Sequence, residues 1–127
     1  MKALLLALAL PALAFAAPSP NFYRALNFVE TSGRSGPILG DSGRALGPLG
    51  IHRSFWQDAK IGGNYADCAS FAYSRKVVSA YLRRYARKAW DEGDCQTLAR
   101  VHNGGPKGAQ NPSTLAYWNK VKKHLKP

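Results

Sequence analysis

Residues 33–50 read GRSGPILGDSGRALGPLG, with six glycines and two prolines in eighteen positions. No helix survives that density: each interior glycine costs about 1 kcal/mol and each proline about 3 kcal/mol relative to alanine. The stretch therefore predicts tight turns with one short hairpin or irregular sheet. Residues 37–39 and 45–46 are the apolar pieces that can serve as its strands.

On both sides the pattern is helical. Upstream, Phe22, Leu26 and Val29 recur at helical spacing, with Ser19 or Asn21 as the cap and residues 31–33 as the stop. Downstream, residues 51–59 place Ile51, Phe55 and Ala59 on one helical face. A longer helix follows residue 64, with Val77, Val78, Tyr81, Leu82 and Tyr85 inward and Arg75, Lys76, Arg83, Arg84, Arg87 and Lys88 outward. Residues 91–94 read as an acidic loop, 97–101 as a short helix and 102–106 as a turn. A last amphipathic helix follows residue 111, with Leu115, Trp118, Val121 and Leu125 facing in. The expected class is α+β, mostly helical, with a small glycine-rich irregular β lobe.

Only two of the seven acids fall in residues 22–51, Glu30 and Asp41. Glu30 follows the apolar stripe at a helix C-terminus, where the dipole and the apolar neighbours both disfavour a carboxylate. That setting suits a general acid, which must hold a proton near neutral pH. Asp41 lies in GDSG, where glycines let the backbone present a side chain into a cleft; an Asp there also serves as a plain turn former. Together they are the candidate acid pair of a glycosidase that degrades cell walls.

Lys2, the apolar run over residues 4–13 and Ala14-Phe15-Ala16 match a secretory leader cut after Ala16. Residues 1–16 are thus the expected signal peptide and residues 17–127 one catalytic domain, secreted or periplasmic. The formal charge of +11 calls for a polyanionic partner. Cys68 and Cys95, an even pair in an exported chain, predict one disulfide, worth about 3.5 kcal/mol by loop closure. Neither has a second cysteine or histidine at ligand spacing, so no metal and no cofactor are expected.

Four segments then carry a resemblance: LGPLGIHRSFW (46–56), GGNYADC (62–68), LARVHNGGPKG (98–108) and YWNKVKK (117–123). In this order they resemble the invertebrate-type (i-type) lysozymes, a family that includes destabilase. The resemblance implies a lysozyme-like fold that cleaves the β-1,4 bond of peptidoglycan between N-acetylmuramic acid and N-acetylglucosamine. It places the catalytic Glu on Glu30 and the catalytic Asp on Asp41, with spacing one residue shorter than the family's. His102 and Asn103 fall in the family's cleft-lining turn, and Cys68 and Cys95 match two of its cysteines. Animal members carry many more cysteines, so a pared-down relative is implied. A serine that some relatives use for isopeptidase chemistry is replaced here by Ala45, and that activity does not transfer.

The expected substrate-binding set is His102, Asn103, Gly104 and Tyr65, with His102 either bonding the sugar's N-acetyl group or bracing its loop. Peptidoglycan strands and an anionic bacterial surface are the expected partners of a monomer. Nucleic acid is not expected, since a nuclease's metal-ligand cluster is missing. The rival is a cationic protein that coats wall or membrane without cutting it. Asp41 as nucleophile requires carboxyls about 5–5.5 Å apart, and an inverting pair about 6.5–9.5 Å.

Overall fold

In the computed structural model, which describes residues 17–125, helix α1 (Pro20–Thr31) starts on a proline. Proline's fixed φ and missing N–H suit the first helical position. The signal peptide expected over residues 1–16 lies outside the described residues. At its other end Ser32 turns left-handed (φ 57°), and the amides of Ser32 and Gly33 bond the carbonyls of Phe28 and Asn27. This closure ends the helix immediately after Glu30 and Thr31.

The glycine-rich stretch forms the expected irregular lobe. Strands β1 (Leu39–Gly40), β2 (Ala45–Leu46) and β3 (Ile51–His52) make an antiparallel sheet in sequence order. Leu39 pairs with Leu46, and Leu46 with Ile51. The first strand thus starts at Leu39 rather than Pro37, and Ile51 belongs to β3, not to the helix expected from residue 51. Ile51 is fully buried and paired to Leu46, which holds the chain extended until α2 (Arg53–Ala59) begins.

A 3₁₀ turn (Tyr65–Ala69), closed by a reciprocal Asn64–Asp67 capping box, leads into α3 (Phe71–Tyr85). The central helix ends earlier than its basic run suggests. Ala86 breaks it (φ −140°, ψ 48°), and Arg87 and Lys88 open a separate helix, α4 (Arg87–Glu92). Asp91 is accordingly helical rather than in a loop, 3.2 Å from Arg87 one turn back. Asp94 caps α5 (Cys95–Gly104) by accepting from the Thr97 amide and hydroxyl. α5 runs three residues past its expected end, so His102, Asn103 and Gly104 sit in its last turn. Two 3₁₀ turns (Gly108–Gln110 and Pro112–Thr114) lead to α6 (Leu115–His124).

Phe22, Leu26, Leu49, Ile51, Val77, Leu82, Leu98 and Val121 are sealed in one core, and each such burial contributes about 1.5–3 kcal/mol. α6 packs on both α1 and α5, α2 packs on α3, and α3 packs on α5. Leu115, expected inward, is exposed because it is the first residue of α6; Val121, in the helix's second half, carries the contact with the core. Helices therefore form the body, and the lobe projects between α1 and α2.

The expected Cys68–Cys95 disulfide is corrected: both thiols are free. Cys68 is buried in the Tyr65–Ala69 turn, which packs on α3 and β2, and its carbonyl accepts the Ser74 hydroxyl at 2.6 Å. Cys95 opens α5 against α4. The two side chains belong to differently packed elements, and burial raises both thiols above their ordinary pKa.

Candidate active site

Glu30 is held by a clasp at the end of α1. The Asn27 amide lies 2.8 Å from the Arg34 carbonyl and 3.0 Å from the Pro48 carbonyl, and the buried Thr31 hydroxyl lies 3.1 Å from the same Pro48 oxygen. These contacts tie the last turn of α1 to the β2–β3 connection, residues 47–50. Gly50 (φ +62°) lies directly against the carboxylate, and a Cβ there would overlap Glu30 Oε2.

The carboxylate's two oxygens differ. Oε1 accepts the Tyr117 hydroxyl at 2.8 Å, and His102 Nε2 stands 3.5 Å away. Oε2 has no hydrogen-bond partner among the described residues, and the side chain is 24% exposed. Burial first, then the Glu30 charge and this hydrogen bond, hold the Tyr117 hydroxyl well above the usual tyrosine range. It is therefore a neutral donor at physiological pH.

The His102 side chain is almost wholly buried, 3% exposed. Its Nε2 is 3.1 Å from the Leu49 carbonyl, which can only accept, so Nε2 carries the hydrogen. Nδ1 is buried and has no partner among the described residues. Phe55 packs edge-on against the ring at 5.3 Å. Of the two roles expected for His102, its contacts are those of a brace on residues 49–50.

Asp41 sits on the lobe in a left-handed conformation (φ 48°), as does Ser42 (φ 56°). Its carboxylate is half exposed, 3.1 Å from His52 Nε2 and 3.3 Å from the Arg44 guanidinium. A cleft of about 230 Å³ is lined by Gly50 and His102, which touch Glu30, and by His52, which touches Asp41; neither Glu30 nor Asp41 is itself among its lining residues. Asn103 lines it too and is exposed. Asp58 and Ser54 add further polar groups.

The other expected binding residues are engaged elsewhere. The Tyr65 hydroxyl donates to the Ile51 carbonyl at 2.5 Å, and Arg53 stacks over its ring at 4.5 Å. Gly104 packs against Thr114, whose methyl a Cβ would overlap. No group of three or more potential metal ligands occurs among the described residues. Sequence reasoning missed Tyr117, Asn27, Thr31 and Gly50. Tyr117 lay within one of the four resembling segments, and Gly50 within the glycine run, but nothing local pointed either one at Glu30.

The Destabilase family profile matches residues 30–124. A lysozyme of Ostrea edulis is 42% identical over 84 residues, covering 63% of this chain and 61% of the relative. Lysozyme 1 of Crassostrea virginica is 40% identical over 79 residues, covering 61% and 43%. The chain thus spans about three fifths or less of these relatives' own length. The crystal structure of Tapes japonica lysozyme superposes with a TM-score of 0.72 at 32% identity, over 85% of this chain and 94% of that one. The mostly helical α+β body, its three-stranded lobe and the profile match over residues 30–124 agree: this chain belongs to the destabilase family, which is also that of the invertebrate-type lysozymes.

Proposed function

We propose that this chain is a lysozyme, hydrolysing the β-1,4 bond between N-acetylmuramic acid and N-acetylglucosamine in peptidoglycan. The observation that carries the reading is the asymmetric Glu30 carboxylate: Oε1 is tied to Tyr117, and Oε2, beside Gly50, has no hydrogen-bond partner among the described residues. A general acid needs one such oxygen free to reach a leaving group.

In this reading Glu30 gives its proton to the glycosidic oxygen as the C1–O bond breaks. Asp41, on the lobe, meets the developing positive charge at C1 from the opposite face, as nucleophile or as stabilising charge. Water then attacks C1, its proton passing to the Glu30 carboxylate; where Asp41 has bonded C1, that C1–O bond breaks and Asp41 leaves as a carboxylate. The left-handed backbone at Asp41 and Ser42 supports the assignment, since such conformations cluster at functional sites.

The exposed cations Lys76, Arg83, Arg84, Arg87 and Lys88 on α3 and α4, with Lys120, Lys122 and Lys123 on α6, suit an anionic wall. A leader over residues 1–16 and a catalytic domain over 17–127 suit a substrate outside the cytoplasm. The test is clearing of a peptidoglycan suspension by the mature protein and by Glu30→Gln, at low and moderate salt. The parent clears, and the folded variant is slower by at least about 100-fold. Equal clearing by both removes Glu30 as the acid and favours a cationic binding protein.

A further inference from the structure

We infer that Tyr117 is a positioning residue that makes Glu30 Oε2, and not Oε1, the oxygen that delivers the proton; this rests on the hydrolase reading above. Tyr117 lies 87 positions from Glu30 in sequence, and α6 brings its hydroxyl to 2.8 Å from Oε1. The hydroxyl is neutral, buried and committed to that oxygen, so a proton on Oε1 would compete with the bond it already accepts. Among the described residues Oε2 has no such donor, and the proton of the neutral acid resides there.

The wall against Oε2 is built to the same end. Gly50 has no Cβ, which leaves the space Oε2 occupies, and its φ of +62° is one that few other residues adopt. His102 Nε2 holds the carbonyl of the preceding Leu49, so α5 fixes this wall while α6 fixes the opposite oxygen. The titratable groups in contact with the carboxylate are Tyr117 from α6 and His102 from α5. In the transfer itself, the proton on Oε2 passes to the glycosidic oxygen and the C1–O electron pair goes to that oxygen. Glu30 is left as a carboxylate whose Oε1 keeps the Tyr117 hydrogen bond.

The experiment compares the wild-type chain, Glu30→Gln, Tyr117→Phe and Val121→Ala on a soluble oligomer of alternating N-acetylglucosamine and N-acetylmuramic acid. Val121 anchors α6 in the core and carries no group that can hydrogen-bond Glu30, so its variant reports what loosening α6 does by itself. Tyr117→Phe is expected to lower kcat about 10- to 100-fold, the scale of a hydrogen bond to a charged group, with KM within about twofold. Removing a donor to the carboxylate form also moves the high-pH limb of its activity to higher pH. Val121→Ala, assayed below its melting temperature, keeps the wild-type limb and a near-normal kcat. Wild-type kcat and an unmoved limb in Tyr117→Phe overturn this inference alone. A wild-type chain that does not cleave, or a Glu30→Gln that cleaves normally, overturns the hydrolase reading and this inference with it.

Discussion

Gly47 runs so close beneath the carbonyl of Cys68 that a Cβ at position 47 would overlap that oxygen. The contact seats the lobe on the 3₁₀ turn that leads into α3, and it leaves no flexible side chain to yield. Gly47 also has φ +82°, a region that disfavours any residue with a Cβ. Gly47→Ala is therefore expected to cost about 3 kcal/mol, from the left-handed backbone together with overpacking. Thermal unfolding should fall by about 10 °C or more; an unchanged midpoint would mean that the lobe is not seated this way.

Thr114 performs a similar task where α5 meets the turns that lead to α6. Its buried hydroxyl lies 2.7 Å from the Gly108 carbonyl and 2.8 Å from the Asn111 carbonyl, and it accepts Arg100 Nε at 2.8 Å. Thr114→Val keeps the volume but strands these partners. Denaturant unfolding should show a loss of about 1–3 kcal/mol with an unchanged m-value. Because Arg100 keeps its second bond, to the Asn111 carbonyl at 3.1 Å, the fold should survive.

At the candidate site, Asp41→Asn tests stability and activity separately. The Asp41 pairings with His52 and Arg44 are half exposed, and such ion pairs contribute about 0–1 kcal/mol. Asp41→Asn should thus melt within a few degrees of the parent while hydrolysis falls by about 100-fold or more. Near-normal initial rates on peptidoglycan would remove Asp41 from the chemistry and leave it as a turn former.

The free thiols predict an alkaline weakness. Burial, and next the Asp67 charge, push the Cys68 thiol from 9.0 up to about 11. A raised folded-state pKa means that the stabilisation is complete below the unfolded value, near pH 9, and is lost as pH climbs to about 11. Under reducing conditions the wild-type chain should lose about 2–3 kcal/mol more than Cys68→Ala across that interval. A thiol reagent should count two free thiols per chain in denaturant and react slowly with the native protein. A count of zero would mean that a bridge has formed.

Much of the architecture could be read locally. Glycine and proline density placed the lobe, the 3.6-residue stripes placed the helices, and Glu30 stood at a helix end because residues 31–33 stop α1. Local patterns failed where tertiary packing overrode them. Ile51 looked helical by spacing but pairs with Leu46 in the sheet. The basic run through Lys88 read as one helix, yet Ala86 bends the chain and Trp90, under the Arg83 guanidinium at 5.5 Å, packs against the core.

What the sequence by itself determined is therefore the order of helices and lobe, and the end of α1 where Glu30 sits. Those follow from dihedral preference and burial period, which neighbouring residues set among themselves. Only the tertiary structure decided what meets the carboxylate: Tyr117 from 87 positions away, His102 through Leu49, and the bare backbone of Gly50. It also left Cys68 and Cys95 unbridged. Such encounters depend on how packed elements are placed in space, and no local spacing encodes that placement.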